Sequence, residues 1–239
     1  MRKAIFTLNI GGNYDPDLTA ITYPYLKHYA RKVGAEFVEI KERKFPDWPI
    51  TYEKFQCYEL AKEMDNDWNF FIDCDTLIHP DFIDITNYLP MNTCAHHAND
   101  FGGVRWRYDE YFWRDGRNIG SCTWFNIFSR WCIDMFRPLD DLTPMQVADN
   151  IFPTFGELKS GMIAPIRLVD DYVCSRNIAK YGLKFTTVQK LMKDMELESL
   201  NFLCHFYAIP TEEKIVHMEE ILGEGRWNLD KKYLEENWK

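Results

Sequence analysis

The chain opens with alternating strand-like and helix-like hydrophobic patterns. Lys3–Asn9 is rich in β-formers and runs into Gly11-Gly12-Asn13, a loop signature. Asp15-Pro16 reads as an N-cap with proline at the first helical position, and Pro24 is expected to break or kink that helix. Beyond it Leu26, Tyr29, Ala30 and Val33 recur at helical spacing, with Gly34 as a C-terminal cap. Glu36–Ile40 reads as a second strand, followed by a proline-bearing loop over Phe45–Pro49. Tyr52–Met64 is predicted helical from Cys57, Leu60, Ala61 and Met64, and Asp65-Asn66-Asp67 stops it. Trp68–Ile72 is a short apolar strand that ends on Asp73-Cys74-Asp75. This β-α-β-α-β order predicts parallel strands joined by crossover helices. Ligands bind such sheets outside the carboxyl ends of the strands, so Asn9 and Asp73–Asp75 should share one edge.

The second half is less regular. Asp100–Gly120, rich in Gly, Arg and Trp, has no period and reads as a long loop. Cys122–Ser129 reads as a strand and Met145–Phe152 as a helix. Asp171–Tyr181 is a further helix closed by Gly182, and Phe202–Tyr207 a turn or short strand around His205. Glu212–Leu222 is an amphipathic helix, and the last dozen residues form a charged, aromatic tail.

Composition narrows the class. The 239 residues are 46% hydrophobic and 16% aromatic, which supplies a core and excludes wholesale disorder. The length suits one domain spanning 1–239. No run approaches the ~18 apolar residues of a membrane helix, and Met1-Arg2-Lys3-Ala4-Ile5-Phe6 is no signal peptide, so a cytoplasmic location is expected. A net charge of −9 argues against nucleic acid as a partner, although Arg105, Arg107, Arg114 and Arg117 form a local basic cluster. Seven cysteines, with no CxxC pair, are expected to be free thiols.

The candidate chemistry centres on Asp73-x-Asp75. Alternation along a strand puts both carboxylates on one side, where hard oxygen ligands suit Mg²⁺ or Mn²⁺ shared with phosphates. The alternative is one aspartate capping a turn and the other solvated. Asp170 and Asp171 follow the run Ile166–Val169 at a predicted helix start, where N-capping competes with chemistry. Tyr14 is either a base-stacking group or a loop anchor. His96 and His97 with Asp100 suggest a transition-metal cluster, but neighbouring histidines on a strand point to opposite faces, which leaves one solvated. Trp106, Trp113 and Trp124 suit either a platform for sugar rings or packing.

The stretch Phe70-Phe71-Ile72-Asp73-Cys74-Asp75-Thr76-Leu77-Ile78-His79-Pro80-Asp81 resembles the signature of the GT-A class of nucleotide-sugar glycosyltransferases. The first strand with Thr7, Leu8 and Asn9, then Tyr14, is similar to the nucleotide-binding strand of the glycogenin-like and lipopolysaccharide galactosyltransferase-like families. Lys54 resembles a donor-binding basic residue of these families, and Asp170-Asp171 the acidic pair that faces sugar and acceptor. His205, followed by Lys214, resembles the late histidine that completes the metal site and the lysine that touches the diphosphate. The matches run from residue 4 to 214.

The resemblance implies a GT-A α/β domain with a mostly parallel central sheet flanked by helices. Residues 1–100 would be the nucleotide-sugar-binding half and 101–239 the acceptor-side half. It implies transfer of a hexose from a UDP- or GDP-linked sugar to a hydroxyl acceptor such as a glycan precursor. Mn²⁺ or Mg²⁺ would be held by Asp73, Asp75 and His205. Thr7, Leu8, Asn9, Tyr14, Lys54, Asp73 and Lys214 would bind the donor, and Asp171 or Asp170 would face the sugar or acceptor. Two other readings stand beside it. A sugar nucleotidyltransferase is disfavoured because no basic residue follows Gly11-Gly12. A non-catalytic nucleotide-sugar-binding protein of the same fold is disfavoured by the intact Asp73, Asp75 and His205.

Overall fold

The first strand, β1 (Lys3–Leu8), is buried at all six positions, as expected of a strand with neighbours on both edges and both faces. A computed structural model describes residues 1–12, 15–98, 120–151, 165–198, 201–206 and 209–223. After β1 come α1 (Pro16–Val33), β2 (Ala35–Ile40), α2 (Cys57–Glu63), β3 (Trp68–Ile72), β4 (Thr76–Ile78), β5 (Thr93–His96) and β6 (Phe125–Ser129). The chain continues through α3 (Pro144–Asp149), α4 (Val169–Lys180), β7 (Lys184–Thr187), α5 (Val188–Asp194), β8 (Leu203–His205) and α6 (Thr211–Gly223).

Six strands form one sheet in the order β2-β1-β3-β6-β5-β7, and β4 and β8 form a separate pair. β1 is parallel to β2 and β3, and β5 to β7; β6 runs antiparallel to both β3 and β5. The expected mostly parallel central sheet is therefore present. The register Phe6↔Phe71 puts the carboxyl ends of β1 and β3, which lead into Asn9 and Asp73, on one edge.

Strand alternation splits the core between the two faces. Phe6, Leu8, Phe71 and Phe128 pack with Ala61 of α2, Val147 of α3, and Tyr172 and Val173 of α4. Ile5, Phe70, Ile72, Phe125 and Ile127 face the other way, against Leu26, Tyr29 and Ala30 of α1 and Val188 and Met192 of α5. Helices thus flank both faces. All seven cysteines are free thiols. Among the described residues no helix is long and apolar enough to cross a membrane.

Several sequence expectations need correction. Pro24 does not end α1, which continues to Val33 with Asp15 and Gly34 as its caps. Tyr25, Leu26, Tyr29, Ala30 and Val33 are all buried beyond the proline, and their packing outweighs the hydrogen bond it removes. The Tyr52–Met64 helix starts as a 3-10 segment over Ile50–Gln56 and becomes α-helical at Cys57. In that segment the Glu53 carboxylate is buried and accepts the backbone N–H groups of Lys44 and Phe45, which holds the loop after β2. The strand expected over Cys122–Ser129 begins only at Phe125. The Met145–Phe152 helix is shorter, Pro144–Asp149, and starts from a Thr143–Gln146 capping box. The short strand at β8 falls within the turn or short strand expected over Phe202–Tyr207, while β4, β7 and α5 carry too little periodicity to be read from sequence. The long loop 100–120, apart from Gly120, and the C-terminal tail lie outside the described residues.

Candidate functional site

β3 delivers Asp73 to the edge of the sheet, and a tight turn returns the chain into β4. Asp73 C=O accepts the Thr76 N–H at 3.2 Å across that turn. Asp73 and Asp75 therefore converge because the chain turns between them. The expected strand alternation is not the cause, since β3 ends at Ile72. β4 pairs with β8 in the register Thr76↔His205, which carries the late histidine to the same point. His205 Nε2 lies 3.3 Å from Asp75 Oδ1 and 3.6 Å from Asp73 Oδ2. One ligand atom from each of Asp73, Asp75 and His205 falls within 4.8 Å of the others.

Two lysines contact this group, Lys54 at Asp73 and Lys214 at Asp75. Lys54 Nζ is 3.0 Å from Asp73 Oδ1 and 2.8 Å from Asp170 Oδ2, with its side chain only 6% exposed. Burial works against the Lys54 ammonium, but Asp170 and Asp73 more than compensate and hold its pKa above the ordinary lysine value. Lys214 Nζ, on α6, sits 2.5 Å from Asp75 Oδ2.

Asp170 and Asp171 lie in the first turn of α4, whose N-cap is Leu168 with no side-chain cap. They do not cap the helix, contrary to the simpler sequence reading. Both reach Thr123, the residue two before β6. Thr123 Oγ1 lies 2.6 Å from Asp170 Oδ2 and 2.8 Å from Asp171 Oδ1, and Thr123 N–H donates to Asp171 Oδ1 at 2.9 Å. Asn126 Nδ2 donates to the Thr123 carbonyl. Thr123 carries no sequence signal, since a lone threonine before an apolar strand fits any strand entry.

Acidic groups outnumber basic ones here: the carboxyl groups of Asp73, Asp75, Asp170 and Asp171 face the Lys54 and Lys214 ammonium groups. Burial, reinforced by Asp75 and opposed by Lys54, pushes the Asp73 carboxyl up. Burial also acts on Asp75, but His205 and Lys214 hold it well below the usual carboxylate range. Asp171 is pushed up to about 7 by burial and by the neighbouring Asp170, against Lys54. Asp75 Oδ1 is buried and faces His205 Nε2 at 3.3 Å. Two carboxylates and one imidazole converging on one point, in a cluster where acidic groups outnumber basic ones, fit a divalent cation.

The remaining predicted residues fall as follows. Thr7 and Leu8 are buried, with Leu8 in the core. Both are paired with β2, and neither side chain is open to a ligand. Asn9 Nδ2 donates to Glu39 Oε1 at 2.9 Å, and Tyr23 OH donates to the same oxygen at 2.5 Å. This polar cluster at the ends of β1 and β2 was not foreseen, because its members lie on three separate elements. Tyr14, Asp100, Trp106, Trp113 and the four arginines 105, 107, 114 and 117 lie outside the described residues.

His96 and His97 are both buried, so neither is solvated as expected, and neither belongs to the metal-type group. Burial pushes His96 down to about 3 and His97 to about 4, the latter helped by His205. Trp124 stacks on His205, with ring centroids 4.9 Å apart at 10°.

No protein-family model matches the chain, and no curated protein matches it. Among solved structures, it is similar to a glycosyltransferase involved in glycosylation of the major capsid of PBCV-1. That likeness has 14% identity, covers 91% of this chain and 99% of the other, and has a TM-score of 0.49. It is also similar to a Drosophila β-1,4-galactosyltransferase 7 mutant in complex with manganese, UDP-Gal and xylobiose. Here identity is 11%, coverage is 87% of this chain and 71% of the other, and the TM-score is 0.43. A third likeness, to A197 from STIV, has 15% identity over 56% of this chain and 68% of the other, with a TM-score of 0.33.

Proposed function

We propose that this chain is a metal-dependent glycosyltransferase of the GT-A type, moving a hexose from a UDP- or GDP-linked sugar to a hydroxyl acceptor. The observation that carries the reading is the convergence of Asp73, Asp75 and His205, with Lys54 linking them to the Asp170–Asp171 pair at the carboxyl edge of β3. A departing nucleoside diphosphate gathers negative charge, and that charge needs neutralising where it develops.

Asp73, Asp75 and His205 would hold Mn²⁺ or Mg²⁺, which supplies Lewis-acid neutralisation of the diphosphate. Lys54 keeps its proton and presents a fixed positive charge between the two carboxylate groups. Lys214, now on Asp75, is placed to meet a phosphate oxygen at the same point. Thr123 holds Asp170 and Asp171 in one orientation. Asp171, pushed up to about 7, is suited either to accept a proton from an acceptor hydroxyl or to orient the sugar. Asn9, at the neighbouring strand end, would contribute its side chain to the nucleotide in this reading; Thr7 and Leu8 would contribute backbone alone, and Tyr14 completes the assigned set.

The test is a thermal-shift panel of nucleotide diphosphate sugars with Mn²⁺, on wild type and Asp75→Ala. A ligand that binds only the folded state raises the midpoint by mass action. The expected result is a metal-dependent shift with one nucleotide sugar that disappears in Asp75→Ala. A folded protein that responds to no donor, with or without metal, would overturn the reading.

A further inference from the structure

Among the described residues β8 pairs with β4 alone, over three residue pairs outside the central sheet, and Leu203 anchors it in the core while His205 lies at its end. Two-stranded ribbons are weakly held. An imidazole at the end of such a ribbon needs outside support to keep Nε2 aimed at the two carboxylates. Trp124 is positioned to give that support. Its indole lies nearly parallel to the His205 ring, at 4.9 Å and 10°. His97 also packs on it, with its ring centroid 4.4 Å from the indole at 45°. His97 is tied to β6 and α5 by its backbone, since its N–H donates to Phe125 C=O and its C=O accepts from Gln189 N–H, each at 3.0 Å. The column His97–Trp124–His205 therefore transmits the rigidity of the central sheet to the ribbon.

Trp124 also acts on the other side of the site. Its carbonyl accepts the Asp73 N–H at 2.8 Å. One residue thus orients a carboxylate through its backbone and an imidazole through its ring. We propose that Trp124 is the positioning residue of the metal site, with His97 as its backstop, a role that rests on the metal reading above. Groups that orient metal ligands from outside govern affinity strongly, and losing one typically costs 10–100-fold. The stack operates through shape and dispersion, so another flat aromatic ring should substitute for the indole where a branched aliphatic should not.

The test is Mn²⁺ titration, followed by the EPR signal of free Mn²⁺, on the whole chain with no donor present. Wild type, Asp75→Ala, Trp124→Leu, Trp124→Phe and His97→Ala are compared, each checked for folding by circular dichroism. Trp124→Leu should weaken Mn²⁺ binding at least about tenfold, Trp124→Phe should restore most of it, and His97→Ala should show a smaller loss in the same direction. If wild type binds and Asp75→Ala does not, but Trp124→Leu binds as wild type does, the positioning role is wrong while the metal reading stands. If Trp124→Leu fails to fold, wild-type affinity in His97→Ala overturns the column instead. If wild type itself binds no Mn²⁺, or Asp75→Ala binds equally well, the metal reading falls and takes this role with it.

Discussion

Lys54 Nζ stands 2.8 Å from Asp170 Oδ2, joining the 3-10 segment before α2 to the first turn of α4. The same ammonium lies 3.0 Å from Asp73. One buried cation therefore serves two acidic groups from distant parts of the chain. Removing it leaves both without their counter-charge. Breaking a buried pair by deleting one partner costs about 3 kcal/mol or more. Lys54→Met should lower unfolding free energy by about that much in urea denaturation with chelator present, and Asp170→Asn in the same background should recover part of it. A Lys54→Met protein as stable as wild type would mean the charges are screened by solvent.

Asp171 should leave a pH signature. Its carboxyl is pushed up to about 7 in the folded chain and lies near 3.9 when unfolded. Between those values the folded state holds more protons than the unfolded one, so this group's contribution to stability falls as pH rises from about 4 to 7. Relative to Asp171→Asn, wild type should lose stability across that window, with a slope approaching about 1.4 kcal/mol per pH unit. Below pH 4 the two curves should run parallel. If Asp171 acts as a base, transfer should increase through about pH 7. A flat difference between the two proteins from pH 4 to 7 would remove Asp171 as a candidate base.

Metal should stabilise the fold by mass action. Mn²⁺ at about 100 times its Kd would add about 2.7 kcal/mol, and EDTA should reverse the gain. The effect should vanish in His205→Ala, which removes the imidazole from the cluster. Calorimetric midpoints with and without Mn²⁺ read this directly, and a gain that persists in His205→Ala would place the ion elsewhere.

Gly34 ends α1 in the left-handed region, at φ 68°, and its N–H caps the Ala30 and Arg31 carbonyls. Nothing lies within 4 Å of a Cβ built there, so the cost of a side chain is conformational alone. Gly34→Ala should destabilise by about 1 kcal/mol and Gly34→Asn by less, because asparagine tolerates this region. Equal losses for the two in thermal unfolding would point to a steric cause.

Part of the candidate site is legible in the sequence because its local context is strong. Trp68–Ile72 is a continuous apolar run that ends on two aspartates, and the βαβ order places its carboxyl end at the ligand edge. His205 and Lys214 were legible only through family resemblance, since β8 is three residues long and has no period of its own. Thr123, Trp124 as a support for His205, and the Asn9–Tyr23–Glu39 cluster were hidden. Each draws its meaning from partners far away in the chain, and hydrophobic spacing encodes no such partners.

Local pattern settled the alternation of parallel strands and helices, the caps of α1, and the strand end that carries Asp73, since these depend on neighbours within a few residues. Tertiary packing decided the rest. It carried α1 through Pro24, because five buried side chains beyond the proline outweigh one lost hydrogen bond. It turned Asp170 and Asp171 from helix-capping candidates into partners of Lys54 and Thr123. It also set His205 and Lys214 against Asp75, because the distances that determine electrostatic energy exist only once remote elements are packed together.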